Sequence, residues 1–323
     1  MPKSGASTFL NHRVEMSEDG YVSSHLATVH ARPNVCDGRF LLYYLSTVRA
    51  QDLIQDHKYP SLTLGTIGDI RVPLPPLDEQ KRIVAVLDQA FAALDRARAN
   101  AEENLVDTDE LLKCELSDIF ADKSAPLIEM RALFEVGSSK RVLKSQWQGH
   151  GVPFYRGREV TKLSLHGFVE NDLFISEKHF TELKTRYGVP VAGDIVITAI
   201  GTIGNAHIVR QSDRFYFKDA SVLWMKKIAD VSSEYVLAWL KSPEFFEQLD
   251  TGNGATVDTL TIQKLQGIRI RMPSIEQQRR IVTKLNALRA EVSQLQGGCV
   301  RKVEDLKELR QSLLQAAFSG QLT

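Results

Sequence analysis

Residues 75–87 read PPLDEQKRIVAVL, and residues 273–285 read PSIEQQRRIVTKL. At an offset of 198, Pro75 pairs with Pro273, Gln80 with Gln278, Arg82 with Arg280 and Ile83-Val84 with Ile281-Val282. The same register runs upstream to Leu62 with Leu260 and Ile70-Arg71 with Ile268-Arg269. Downstream it reaches Leu111 with Leu309, Leu116 with Leu314 and Phe120 with Phe318. A gapless match over roughly 60 residues is an internal repeat, and a repeat decides the architecture before any local reading does. With a small shift, LLYYLST (41–47) also matches VLAWLKS (236–242), both short amphipathic helix candidates. About 110 residues of the second unit precede that helix, against 40 in the first. Taking 126 as the start of the second unit, the offset leaves roughly 70 residues of the second unit without a counterpart in the first. Residues 1–74 are therefore expected to be the later part of a domain, entered partway through.

Each repeated block opens on a proline and a helix-start signal. Ser274-Ile275-Glu276-Gln277 fits a capping box, and Asp78-Glu79 put acids in a first turn, where the helix dipole favours them. Steps of three and four follow. The first helix carries Ile83, Leu87, Ala90, Leu94, Ala97, Ala101, Leu105, Thr108 and Leu112. The second carries Leu285, Leu288, Val292, Leu295, Cys299, Leu306, Leu309, Leu313 and Ala316, interrupted at Lys302. Each spans about 40 residues, or roughly 60 Å, and Gly297-Gly298 marks a candidate kink in the second. Residues 78–121 hold eleven acids and five bases, whereas residues 276–318 hold five acids and eight bases. Opposite signs on complementary seams favour a mutual coiled coil over self-pairing. The alternative is that each helix packs on its own domain.

Between the helices, FYRGREV, GDIVITAIG, NAHIVRQ and SVLWMKK read as short strands, and Glu234–Leu249 as one or two short helices. Residues 136–158 contain Lys140, Arg141, Lys144, Arg156 and Arg158, interleaved with Gln146, Trp147, Phe154 and Tyr155, and no acid. Cations for phosphates beside amides and aromatics for bases are what contact with DNA requires, although an ordinary solvated face has the same composition. Gly201-Thr-Ile-Gly204 lacks the GK[ST] of a phosphate loop, and the identical GTIG at 65–68 falls at a different place in the repeat. Thr251-Gly-Asn-Gly-Ala-Thr256 reads as a polar loop.

Lys+Arg and Asp+Glu number 40 each, so the whole chain advertises no polyanionic partner. Cys36, Cys114 and Cys299 stand far apart, which argues against zinc and disulfides and for buried thiols in a reducing compartment. There is no membrane-length apolar run and no signal peptide, so a soluble cytoplasmic protein is expected. No GxSxG, HExxH, phosphate-loop lysine or [ND]PP[YF] element appears, and the eight histidines are scattered, with His25 and His207 in apolar, structural contexts.

These features resemble the DNA-specificity subunit (S subunit, HsdS family) of type I restriction–modification enzymes. The resemblance covers the whole chain and is carried most specifically by VPLPPLDEQKRIVAVLD (72–88) and LKELRQSLLQAAFSGQL (306–322). GVPFYRGREV (151–160), VAGDIVITAIGTIGNAHIV (191–209) and the TGNGAT…L…I…L block (251–265) fit as well, and KSGAS…SSHLATV (3–29) fits the later half of a first recognition domain. It implies an α+β fold, with mixed α/β target-recognition domains alternating with two long helices that form an antiparallel coiled coil, related by a pseudo-two-fold repeat. The expected order is a shortened first recognition domain (1–74), a central helix (75–125), a complete second recognition domain (126–272) and a distal helix (273–323).

The family's role then implies a non-catalytic subunit that reads one half-site through residues 126–272 and docks modification subunits on its helices. Lys140, Arg141 and Lys144 would hold phosphates. Arg156, Arg158, Thr202 and Asn205 would lie near base edges, and Asn253 and Thr256 near the groove. Outward-facing Arg82, Arg280 and Arg310 would meet partner subunits. The implied partners are double-stranded DNA, modification (methyltransferase) subunits and an ATP-dependent restriction subunit. No cofactor is expected on this chain, with S-adenosylmethionine, ATP and Mg on the partners. The shortened first domain has three readings: a degenerate remnant, a half-subunit that self-dimerises, or one piece of a split subunit. The competing function is a regulatory or structural protein that binds modification subunits without reading DNA.

Overall fold

The computed structural model describes residues 1–54, 56, 58–249 and 259–320. In chain order the first elements are α1 (Gly38–Thr47), α2 (Leu64–Gly68) and the long helix α3 (Leu77–Ala121). Next come β1 (Leu127–Glu129), β2 (Phe134–Ser138), β3 (Val152–Tyr155), α4 (Gly157–His166), β4 (Phe174–Ile175) and α5 (Glu177–Tyr187). They are followed by β5 (Ile195–Thr198), β6 (Ala206–Ile208), β7 (Tyr216–Phe217), β8 (Val222–Lys227), α6 (Ser233–Trp239) and α7 (Pro243–Leu249). The chain closes with α8 (Ile262–Gly267), β9 (Arg269–Arg271) and the second long helix, α9 (Ile275–Phe318).

The chain divides into two compact units, residues 1–106 with 295–323 and residues 107–294. The sequence reading gives each long helix a segment of its own, and each compact unit takes half of both. In the first unit Leu87 and Phe91 of α3 bury against Leu314 and Ala317 of α9, together with Phe40 and Tyr43 of α1. In the second, Leu116 and Phe120 of α3 share a core with Leu285 of α9. In both units residues early in one helix meet residues late in the other, so the paired halves run antiparallel.

The nine positions expected on the apolar seam of α3 are all buried or half-buried. The seam of α9 departs from expectation. Leu295 and Leu309 are exposed, while Val303, Leu314 and Ala317 are covered, so one row moves by a residue and the interruption at Lys302 disappears. The cause is a second neighbour: near its end α9 packs on α1 as well as α3, with Phe318 edge-on to Phe40 and Tyr44. A helix between two partners needs a wider stripe than a two-helix seam supplies. Gly297-Gly298 does not break α9, and an added Cβ at either glycine meets nothing within 4 Å.

In the second unit an antiparallel sheet runs β2-β8-β5-β6, a three-stranded sheet runs β4-β3-β7, and β1 pairs with β9. Strand β5 is buried on both faces. Ile195 and Ile197 join Phe134, Met225, Tyr235 and Trp239 on one side, while Val196 joins Val160, Phe215, Phe217 and Val222 on the other. Each such aliphatic side chain contributes about 1.5–3 kcal/mol by leaving water. Residues 157–166 correct the strand reading of FYRGREV. Only Val152–Tyr155 is a strand, and Gly157 opens a helix whose Glu159 reaches back to the Arg156 N–H at 2.8 Å.

The repeat is visible bond by bond. Thr63 caps α2 by accepting from the Thr66 N–H at 3.0 Å, and Thr261 caps α8 by accepting from Lys264 at 3.1 Å. The Leu62 N–H donates to Lys3 at 2.7 Å, as the Leu260 N–H donates to Ala199 at 2.7 Å. Pro2 bridges Leu26, as Thr198 pairs with Val222 between β5 and β8. Gly5 and Gly201 share a left-handed φ, 78° and 79°. Residues 1–5 thus hold the place that 197–201 hold in the second unit, and among the described residues of the first unit nothing stands in for β1–β4. The segment equivalent to β9, residues 71–73, is accordingly not a strand.

Of the cysteines only Cys36 is buried; Cys114 is exposed and Cys299 half-exposed, so burial does not account for all three. Among the described residues no helix is long and apolar enough to cross a membrane.

Candidate nucleic-acid interface

The acid-free run from 136 to 158 folds into two neighbouring features of the second unit. Leaving β2, the Ser139 hydroxyl donates to the Phe217 carbonyl at 2.6 Å, and the Lys140 N–H donates to the Tyr216 hydroxyl at 2.9 Å. This anchors a turn from which Lys140, Arg141 and Lys144 project into solvent. Among the described residues no carboxylate pairs with any of the three. Lys140 instead lies over the Tyr187 ring, 5.7 Å from its centroid, and Arg186 sits 5.6 Å from the same ring.

The aromatics expected to interleave with these cations turn inward. Phe154 is fully buried, Tyr155 stacks on Phe215 at 4.6 Å, and the half-buried Trp147 lies 6.0 Å from Phe154. Alternation along β3 sends Phe154 and Tyr155 to opposite faces, and both faces are covered. Phe154 packs with Val152 and Ile175, and Tyr155 with Phe215 and Phe217, while Trp147, outside the strand, packs on the Phe154 side. The exposed ring beside the cations is Tyr187, at the end of α5, some 30–50 residues away in sequence, where no spacing rule reaches. Lys218 is not among the residues read from the sequence. It follows β7, is exposed, and donates its N–H to the Tyr155 carbonyl at 2.7 Å, next to Arg156.

Arg156 and Arg158 are placed differently from the lysines. Both guanidiniums bond Glu159, which is 1% exposed: Arg156 through Nε at 3.1 Å and a terminal nitrogen at 2.9 Å, Arg158 through Nε at 2.6 Å. Both also reach Asp172, at 2.9 Å from Arg156 and at 2.7 and 2.6 Å from Arg158. Burial pushes the Glu159 carboxyl up, but the bonds from Arg156 and Arg158 outweigh it and hold the group below its ordinary value. The Arg158 bonds likewise hold Asp172 down. The pair reads from sequence as free cations; in the fold it is the positive half of a four-charge knot.

Thr202 and Asn205 occupy the β5–β6 turn and are brought together against α4. The Asn205 amide lies 3.3 Å from the Thr161 hydroxyl and 3.4 Å from the Thr202 carbonyl, and the Thr161 and Thr202 hydroxyls are 3.3 Å apart. The turn is locked beneath by Thr198, whose hydroxyl accepts from the Asn205 N–H at 3.1 Å and donates to the Thr202 carbonyl. Gly204 is required here. Its φ is 93°, and a Cβ would come within 3.1 Å of the Phe246 ring. Asn253 and Thr256 lie outside the described residues.

On the long helices Arg82 and Arg280 are exposed, each held by an acid on its own helix, Glu79 at 2.7 Å and Glu276 at 2.6 Å. Arg310 is half-exposed. It pairs with Asp95 of α3 at 2.9 Å and lies 4.1 Å over the Phe91 ring, because the covered row of α9 has moved onto it. His207 is structural, bonded to Asp213 at 2.8 Å.

A family model described as the type I restriction modification DNA specificity domain matches residues 12–103 and 128–298. The chain belongs to this family. The two matched stretches fall on the two halves of the repeat. Relatives of the specificity family include the type I restriction enzyme specificity subunit S.HindORF215P of Haemophilus influenzae, 26% identical over 87% of this chain and 72% of its own length. The EcoBI specificity subunit of Escherichia coli is 25% identical over 97% of this chain and 72% of its own. In fold, the chain is similar to one from a type I R-M system solved for its complex assembly and conformational transition (TM-score 0.73, 21% identity, 91% of this chain and 74% of that one). It is also similar to the HsdS subunit from Thermoanaerobacter tengcongensis (TM-score 0.58, 20% identity, 91% and 73%).

Proposed function

We propose that this specificity subunit reads one half of a bipartite DNA site through residues 126–272. Lys140, Arg141 and Lys144 take phosphates, and the Asn205 turn beside α4 faces the bases. The observation that carries the reading is the turn after β2: three exposed cations with no carboxylate partner among the described residues, beside an exposed tyrosine. Surface lysines and arginines normally stand near acids; a group left unneutralised is suited to a polyanion. The long helices pair as an antiparallel coiled coil and dock modification subunits, with Arg82 and Arg280 on the exposed face. The chain itself is non-catalytic and works in the cytoplasm. S-adenosylmethionine, ATP and Mg belong to the modification and restriction subunits that it brings to the site.

The test is DNA binding by a variant with Lys140, Arg141 and Lys144 all replaced by Ala. Affinity should fall to a similar degree for every duplex, and the salt dependence should flatten by about 0.9 for each phosphate that is no longer neutralised. Unchanged affinity and slope would place the DNA-binding surface elsewhere.

A further inference from the structure

The two carboxylates of the knot at the start of α4 stand in opposite environments. Glu159 is 1% exposed and accepts from Arg156 and Arg158 at once, so removing it strands two cations beside a closed core. Asp172 is 66% exposed and sits on the connection between α4 and β4. Its attraction for the arginines is screened by water, so its departure removes an exchangeable surface contact.

A guanidinium fork accepts carboxylate and phosphate oxygens with the same geometry, and it accepts the O6 and N7 edge of guanine as readily. In the free protein these donors are taken up by acids of the same domain. One terminal nitrogen of Arg158 donates to both Asp172 oxygens while its Nε holds Glu159, and one terminal nitrogen of Arg156 also reaches Asp172. The four charges of the knot sum to zero, so its two arginines offer DNA no uncompensated charge while Asp172 is bound to them. Lys140, Arg141 and Lys144 carry no such partner among the described residues.

We propose that Asp172 is an internal competitor for the DNA anion, holding Arg156 and Arg158 aligned but masked until nucleic acid displaces it. This rests on the DNA-reading role proposed above. Asp172 then acts as a specificity determinant: Glu159 fixes where the arginines point, and Asp172 sets how strong a contact must be to engage them. Weak backbone encounters along non-target DNA do not displace it, whereas a fully matched half-site does.

The test is fluorescence anisotropy of the full chain with a labelled mixed-sequence duplex, titrated over a range of salt. Asp172→Asn should tighten this non-target binding about five- to tenfold, with a salt slope steeper by about 0.9 because one more phosphate is engaged. Glu170→Gln removes the same charge two residues away, outside the knot, and should leave affinity nearly unchanged. In an Arg158→Gln background the gain from Asp172→Asn should vanish. Melting temperatures, near wild type for these exposed positions, show that each variant is folded. If the wild type binds but Asp172→Asn gains nothing, the masking idea fails and the DNA reading survives. An equal gain from Glu170→Gln, or a gain that persists without Arg158, also overturns it by reducing the effect to bulk charge. If none of the proteins binds duplex DNA, the inference falls together with the reading beneath it.

Discussion

Gln80 and Gln278, 198 residues apart in sequence, share two equivalent hydrogen bonds in the two units. The Gln80 side chain accepts from the Asp37 N–H at 2.8 Å and donates to the Pro75 carbonyl at 2.8 Å. The Gln278 side chain accepts from the Ser232 N–H at 2.9 Å and donates to the Pro273 carbonyl at 2.8 Å. Asp37 and Ser232 are the N-caps of α1 and α6, so in each unit a buried glutamine from a long helix fixes the start of a short aromatic one. This explains why the repeated motif keeps a glutamine at a position that periodicity alone would make apolar.

Replacing either glutamine by leucine keeps the volume and strands the capping residue's N–H and the proline carbonyl, and at Gln80 the Val35 carbonyl as well. The expected cost is about 2–4 kcal/mol for each substitution. Hydrogen exchange should localise it, with Gln278→Leu accelerating the Ser232 amide and Gln80→Leu the Asp37 amide, and neither affecting the other unit's cap. Equal acceleration at both caps would show that the two bonds do not act as local restraints.

The two units differ in what covers equivalent side chains. Phe217 is 1% exposed, whereas Tyr21, which the local offset of 196 places at the same position, is fully exposed. Phe217→Ala should cost about 3–5 kcal/mol in denaturant unfolding. Tyr21→Ala should change stability by no more than about 0.5 kcal/mol. A large drop in stability at Tyr21 would mean that the first unit folds with its apolar face covered.

Tyr43 couples α1 to α3 through its hydroxyl, which donates to Asp88. Burial, and then that bond, push the phenol up to about 12. An unfolded tyrosine titrates near about 10, so the contribution of Tyr43 is fully present below that pH and is lost as pH rises toward about 12. Tyr43→Phe should therefore flatten the alkaline fall in stability, measured by denaturant midpoints across that window. An identical alkaline profile in the variant would remove Tyr43 as its source.

Much of this architecture is legible in the sequence because it depends on short-range rules. The offset of 198 locates both glutamines, both threonine caps and both long helices, and the seam of α3 follows directly from steps of three and four. The seam of α9 does not, since its wider stripe answers to α1, more than 250 residues earlier. The basic run was legible as composition but not as chemistry. Nothing in the local spacing shows that Asp172 joins Glu159 in neutralising two of its arginines, or that Tyr187 supplies the exposed ring that Phe154 and Tyr155 do not. The strand reading of RGREV failed because a two-residue alternation in charge and size imitates a strand, while the Glu159 cap and the Val160–Leu163 spacing mark a helix.

The central claim is that this chain directs a modification enzyme to a DNA sequence, and base-resolution mapping of adenine methylation tests it most directly. The chain would be expressed with its modification subunit, alongside the variant in which Lys140, Arg141 and Lys144 are alanine. The account predicts a new methylated motif with the wild-type chain and its disappearance with the variant at equal soluble protein. Soluble wild-type chain with no new methylated motif, or a motif that survives the triple substitution, would contradict it.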